Sequence, residues 1–139
     1  MTLPESPLKI DVGGSLSLTL HAAATRQIDA AIDALQTGDF DVALTLAGAA
    51  EGMIERKTGH TMFGWLKQHP GALERFDKKE WISMLNAERD WLKHGGQPAM
   101  EICCAEATFM IARAASKLED WTSKMVAFKI WLLANLDHF

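Results

Sequence analysis

Apolar residues return every third or fourth position over most of this chain, which is the repeat of an amphipathic helix. Leu20, Ala24, Ile28, Ala31, Ile32 and Leu35 form a first stripe and predict a helix over residues 16–36, closed by Gly38. Asp39 stands where an N-cap would start a second helix over residues 40–57, with the stripe Phe40, Ala43, Ala47, Ala50 and Ile54 and an end at Gly59. Its small residues Ala43, Ala47, Gly48, Ala49 and Gly52 would let another helix approach closely. Residues 60–69 form an aromatic segment of one or two helical turns, closed by Pro70-Gly71. Asp77 with Glu80 three residues on is a capping-box pattern, and it predicts a helix over residues 78–94 stopped by Gly95-Gly96. Pro98 suits the first turn of a helix over residues 98–119, whose Ile102, Cys103, Phe109, Met110 and Leu118 give it a broad apolar surface and a central place. A last helix over residues 122–136 carries Met125, Phe128, Trp131, Leu132 and Leu136.

No long Val/Ile/Thr-rich alternation competes with this pattern. The expected fold is all-α: an antiparallel four- to five-helix up-and-down bundle. Residues 1–15, with two prolines and a Gly-Gly pair, form an irregular lead-in with a short extended piece at 8–12, and residues 16–139 form one domain. A length of 139 residues and 48% hydrophobic content suffice for one real core.

Charge narrows the functional classes. Fourteen basic and eighteen acidic side chains leave a net charge of −4, so there is no broad basic footprint and any RNA contact would be local. The adjacent Cys103 and Cys104 do not make a disulfide framework; they read as core packing in a reduced, cytoplasmic protein. Apolar runs are too short to span a bilayer, so no membrane partner is expected. His21, His60, His69 and His138 lack ligand-like spacing and no Glu-x-x-His pair occurs, so neither a metal nor a cofactor is expected. Asp29/Asp33 and Glu51/Glu55, each one turn apart, read as solvated faces, with Glu51 as the exception able to pair with Arg89. Trp81, Trp121 and Trp131 fall at core spacing, whereas Trp65 and Trp91 suit partial exposure or an interface.

The chemistry concentrates at the end of the helix over 78–94. On a helical wheel Trp81, Met84, Leu85, Trp91 and Leu92 gather on one side, and Asn86, Arg89, Asp90, Lys93 and His94 on the other. Asp90 and His94 are one turn apart, a spacing at which a carboxylate can orient an imidazole and favour its charged form. His94 also sits at a helix C-terminus, where a cation is favoured. The same stripe is equally what the solvent face of an ordinary amphipathic helix shows.

The run Leu85-Asn86-Ala87-Glu88-Arg89-Asp90-Trp91-Leu92-Lys93-His94 resembles the signature of the HEPN superfamily: an arginine, a polar residue next to it, and a histidine after a short gap, here of four residues. Ala43-Leu44-Thr45-Leu46-Ala47-Gly48-Ala49-Ala50-Glu51 is similar to the second helix of small bacterial members. The likeness runs in helix order from about Ser17 onward. It implies a helical homodimer in which paired arginine–histidine motifs meet in one cleft and cleave RNA without a metal, as a toxin or defence protein with an antitoxin partner. Carried over, Arg89 and His94 would be the catalytic pair and Asp90 the polar helper. Asn86, Lys93, Glu51 and Trp91 would line the binding surface. Many toxin members carry a tyrosine two residues after the histidine; here that position is Gly96, and the chain has no tyrosine. The alternative is a non-catalytic HEPN-like module for dimerisation or for binding a nucleotide or partner.

Overall fold

The computed structural model describes residues 2–55 and 70–138. Among them are α1 (Leu20–Gln36), α2 (Phe40–Met53), α3 (Pro70–Leu73), α4 (Lys78–His94), α5 (Cys104–Ala115) and α6 (Ser123–Ala134), followed by a 3-10 turn at Leu136–His138. The described residues contain no strand, so the all-α expectation holds. None of their helices is long and apolar enough to cross a membrane. The second helix ends at Met53, where Ile54 is already extended, short of the expected Lys57. Lys57, Gly59, the aromatic segment 60–69 and Trp65 lie outside the described residues.

Capping chemistry sets the helix starts. Thr19 is extended, and its side chain accepts from the Ala22 N–H at 3.0 Å, so α1 begins at Leu20 rather than at residue 16. Asp77 accepts from the Glu80 N–H at 2.8 Å and starts α4 where the capping pattern places it. Asp39 flanks α2 as expected, but its carboxylate makes no cap hydrogen bond and accepts from the Thr37 hydroxyl at 2.7 Å instead.

Pro98 does not open α5. Gly95 and Gly96 both take positive φ, and the Trp91 indole N–H donates to the Gln97 carbonyl at 2.8 Å, folding the chain back on itself. The helix restarts at Cys104, behind a reciprocal box between Cys103 and Glu106. Cys103 is therefore an exposed cap rather than core, and its bond to the Glu106 carboxylate raises the thiol pKa, the reverse of what a reactive thiolate needs. Cys104 is half-buried.

The core is built largely of small side chains. Ala24, Ile28 and Ala31 of α1 meet Ala43, Leu44 and Ala47 of α2 across a three-residue connection, an αα-hairpin closed by Gly38 at φ +79°. α5 lies against α2 through Ala107, Met110, Ile111 and Ala114, so its central place is as expected. α6 covers α1 with Met125 and Phe128, and α4 covers α2. Alanine at these crossings brings helix backbones close and leaves little room for substitution.

Several assignments change in three dimensions. Leu20 is exposed rather than part of the buried stripe. Trp121 and Trp131 are more than a third exposed rather than core. Trp121 lies past the end of α5, its indole N–H donates to the Ala115 carbonyl at 3.0 Å, and Lys129 lies over its ring. Asp29 and Asp33 are not simply solvated. They dock α6, with Asp29 accepting from the Thr122 hydroxyl at 2.7 Å and Asp33 pairing with Lys124 at 2.6 Å, which raises the Lys124 pKa.

Ile28 is wholly enclosed at the α1–α2 contact. Ile28→Ala is expected to cost about 2–5 kcal/mol, because close-packed helices cannot collapse into the space left. Urea denaturation monitored by helical circular dichroism measures it.

Candidate functional site

Glu51 organises the region that the motif singled out. It lies two residues before the end of α2 and is buried. Arg89 from α4 reaches it at 3.4 Å (Nη1 to Oε2), which is the pairing the sequence suggested. Two further cations were not foreseen. Arg113 of α5 lies 2.7 Å from the same oxygen, and Lys117 lies 3.7 Å from Oε1. Lys117 Nζ also donates to the Glu51 backbone carbonyl at 2.6 Å, occupying a carbonyl of the last turn of α2, where a helix can offer no internal donor.

Arg113 is completely buried, and its Nη1 donates to the Leu85 carbonyl at 2.9 Å. It thereby ties α5 to α4 while it neutralises α2. Burial lowers its pKa to about 10 against the pull of Glu51, so it stays charged at neutral pH. One sequence signal pointed to it: a lone arginine inside the apolar run Phe109 to Ala115, where an unpaired charge is not tolerated. Lys117 had no such signal, because it follows the helix and reads as an ordinary surface lysine.

The predicted polar stripe of α4 is divided between two surroundings. Asn86 is its one buried residue, and its side-chain oxygen has no hydrogen-bond partner among the described residues. Met84, assigned to the apolar side, is half exposed. The helix is thus rotated so that Asn86 and Arg89 face α2 while Asp90, Lys93 and His94 face solvent. The Arg89 side chain keeps 28% of its surface exposed. Asp90 does not turn to His94; its carboxylate lies 3.7 Å from Arg89 Nε. His94 ends the helix, exposed, just before the Gly95 cap. Trp91 is half-buried and spends its N–H on the Gln97 carbonyl, so it supports the turn after α4 rather than lining the surface.

Beside this cluster a groove of about 650 Å³ runs between α2 and α4, lined by Thr45, Gly48, Ala49, Gly52, Arg89 and Lys93 among others. Small residues make its floor. A Cβ on Gly48 would come within 2.8 Å of Arg89 Cδ and 2.9 Å of Cγ, so glycine is what lets the arginine stem cross α2 toward Glu51. Arg89 and Lys93 are the charged side chains on the groove wall, and both are cationic. The chemical capacity is that of an anion-binding groove, with one guanidinium fixed by a carboxylate beneath it. Among the described residues no group of three or more His, Cys, Asp or Glu side chains is placed to hold a metal ion. No protein-family model, curated protein or solved structure matches the chain.

Glu51→Gln would remove the carboxylate that buried Arg113 meets at 2.7 Å and leave it beside the like charge of Arg89, and a loss of about 3–5 kcal/mol is expected by chemical denaturation. A paired glycine test separates packing from helix propensity. Gly52→Ala meets no atom within 4 Å and is expected to gain up to about 1 kcal/mol, whereas Gly48→Ala should forfeit that gain by displacing Arg89. Equal stabilisation of both variants would contradict the placement of the Arg89 stem.

Proposed function

We propose that this chain is a HEPN-like helical protein whose α2–α4 groove binds the phosphate backbone of RNA and cleaves it without a metal. The observation that carries this reading is Arg89, partly exposed on the groove wall, held by buried Glu51 and joined by Lys93, with His94 exposed at the end of the same helix. Arg89 supplies a permanent cation with bidentate geometry for phosphate oxygens. His94 supplies an imidazole, a side chain able both to take and to give a proton.

In the proposed reaction a His94 imidazole takes the proton from a ribose 2′-OH. The freed oxygen attacks the adjacent phosphorus, and the P–O bond to the 5′ oxygen breaks. A second imidazole, from His94 of another copy, protonates the leaving oxygen. The products are a 2′,3′-cyclic phosphate and a 5′-OH, and no oxidant or co-reactant is consumed. Arg89 stabilises the charge that builds on the phosphoryl oxygens. A homodimer provides both imidazoles from one sequence.

A second reading is supported by the same cluster. Arg89 is already engaged by Glu51 and by Asp90, and the chain is acidic overall, which suits a non-catalytic module that binds a nucleotide or an acidic partner in the groove. A single assay separates the two. Wild type is expected to cut single-stranded RNA in the presence of a chelator and to leave cyclic-phosphate ends. His94→Ala should lower the rate at least about 10²-fold, and Arg89→Ala about 10²- to 10³-fold. Wild type no more active than the Arg89→Ala/His94→Ala double variant would sink the nuclease reading. RNA or nucleotide binding that is nonetheless lost with Arg89→Ala would favour the binding module.

A further inference from the structure

Residues 2–19 form an arm that leaves the body of the protein before α1, and every residue in it is exposed. Its side chains nevertheless alternate. Leu8, Ile10 and Val12 fall on every second position, and Leu16, Leu18 and Leu20 repeat the pattern. Two-residue alternation is the pattern of an extended chain that buries one face. Here those side chains are exposed, Val12 by 98%. A turn divides the runs, closed by the Gly14 N–H on the Asp11 carbonyl at 3.0 Å and by the Gly13 N–H on Asp11 Oδ1 at 3.0 Å. Among the described residues that turn bond is the one backbone–backbone hydrogen bond within 2–18, so the extended backbone is also open for pairing.

A second apolar surface lies on the far side of the molecule. The inner face of α6 carries Met125 and Phe128, but its outer face carries Val126, Ile130 and Leu133, spaced four and three residues apart as a second stripe. Ile130 is 65% exposed, and Leu136 prolongs the patch past the helix end. The chain's own arm does not cover it. α6 is pinned to the C-terminal half of α1 through Asp29 and Asp33, and it continues past Ile32, Leu35 and Phe40, whereas the arm departs from Thr19 at the other end of α1.

We propose that the occupant of each surface is a second copy of this chain, the arm of one protomer lying along the outer face of α6 of the other. Three features fit. The first is length: residues 8–12 extend for roughly 17 Å at ~3.4 Å per residue, and the 12 residues of α6 span roughly 18 Å at ~1.5 Å per residue. The second is charge: the arm carries Glu5, Lys9 and Asp11 and is net acidic, while α6 has no acidic residue and carries exposed Lys129 beside Val126 and Ile130. The third is area: reciprocal exchange would cover two arms and two helix faces, on the order of 1,000 Å² of apolar surface or more, which is the scale of a stable dimer. Twofold symmetry closes the assembly and leaves no arm unpaired. The exchange stands independently of RNA cleavage.

Sedimentation equilibrium on the full chain tests it. A dimer is expected, and both Leu8→Ser/Ile10→Ser/Val12→Ser and Ile130→Glu should raise its Kd at least about tenfold with unchanged helical circular dichroism, since all four positions are exposed in the single chain. In a Cys103→Ser/Cys104→Ser background, mixing a Val12→Cys chain with an Ile130→Cys chain should give a disulfide between the two. A monomer at all concentrations up to about 100 µM would overturn the proposal. So would a dimer weakened by the arm variant alone, which would mean arm on arm, or one weakened by neither variant, which would place the interface elsewhere. RNA cleavage is scored separately, so a dimer that does not cleave and a monomer that does are both recognised.

Discussion

The Glu51 carboxylate lies buried at the end of α2, with Arg89, Arg113 and Lys117 drawn in around it from α4, α5 and the turn beyond. Removing a carboxylate and a guanidinium from water is costly, and it is offset only when the charges meet at close range with their remaining donors satisfied. That condition sets much of the geometry around the groove. The 2.7 Å contact of Arg113 brings α5 to Glu51, and its second bond, to the Leu85 carbonyl, sets how α4 lies over both. Arg89 then completes the cluster from the solvent side. Its position follows from charges beneath it that never reach the surface.

The cluster can exist because the helices around it are lined with small residues. Alanines at the α1–α2 and α2–α5 crossings let backbones approach, and Gly48 opens the path that the Arg89 stem follows across α2. Larger residues there would push α4 outward and separate Arg89 from Glu51. Fold and candidate site thus rest on the same small side chains, and the groove beside Arg89 is what remains where α4 rides over glycine and alanine.

The molecule also divides its apolar surface unevenly. Its interior is closely filled, yet the arm before α1 and the outer face of α6 carry large aliphatic side chains in regular patterns facing water. Contiguous patches of this kind on a folded domain signal an interface, whereas scattered exposed leucines do not. The polar groove lies between α2 and α4, and the apolar outer face lies on α6, which packs on α1. The two surfaces are built from different side chains.

Much of this was legible along the chain. Five of the helices announce themselves by their stripes, and α4 is read to the residue because Asp77 and Gly95-Gly96 are local stop and start signals. The Arg89–Glu51 pair was also within reach, since both residues stand out in the HEPN-like runs. Other features depend on neighbours distant in sequence. Helical spacing gives the direction of a face but not which helix covers it, so it could not reveal that α4 turns Asn86 and Arg89 inward or that Asp90 turns from His94 to Arg89. Trp121 and Trp131 sit at core spacing yet are more than a third exposed, because spacing along one helix does not say which side a neighbour covers. Local chemistry, acting over one turn, determined where helices start and stop in this protein. The depth of Arg113, the exposure of Arg89 and the bareness of the arm were decided only by tertiary packing, because burial and charge pairing are properties of surfaces brought together from distant parts of the chain.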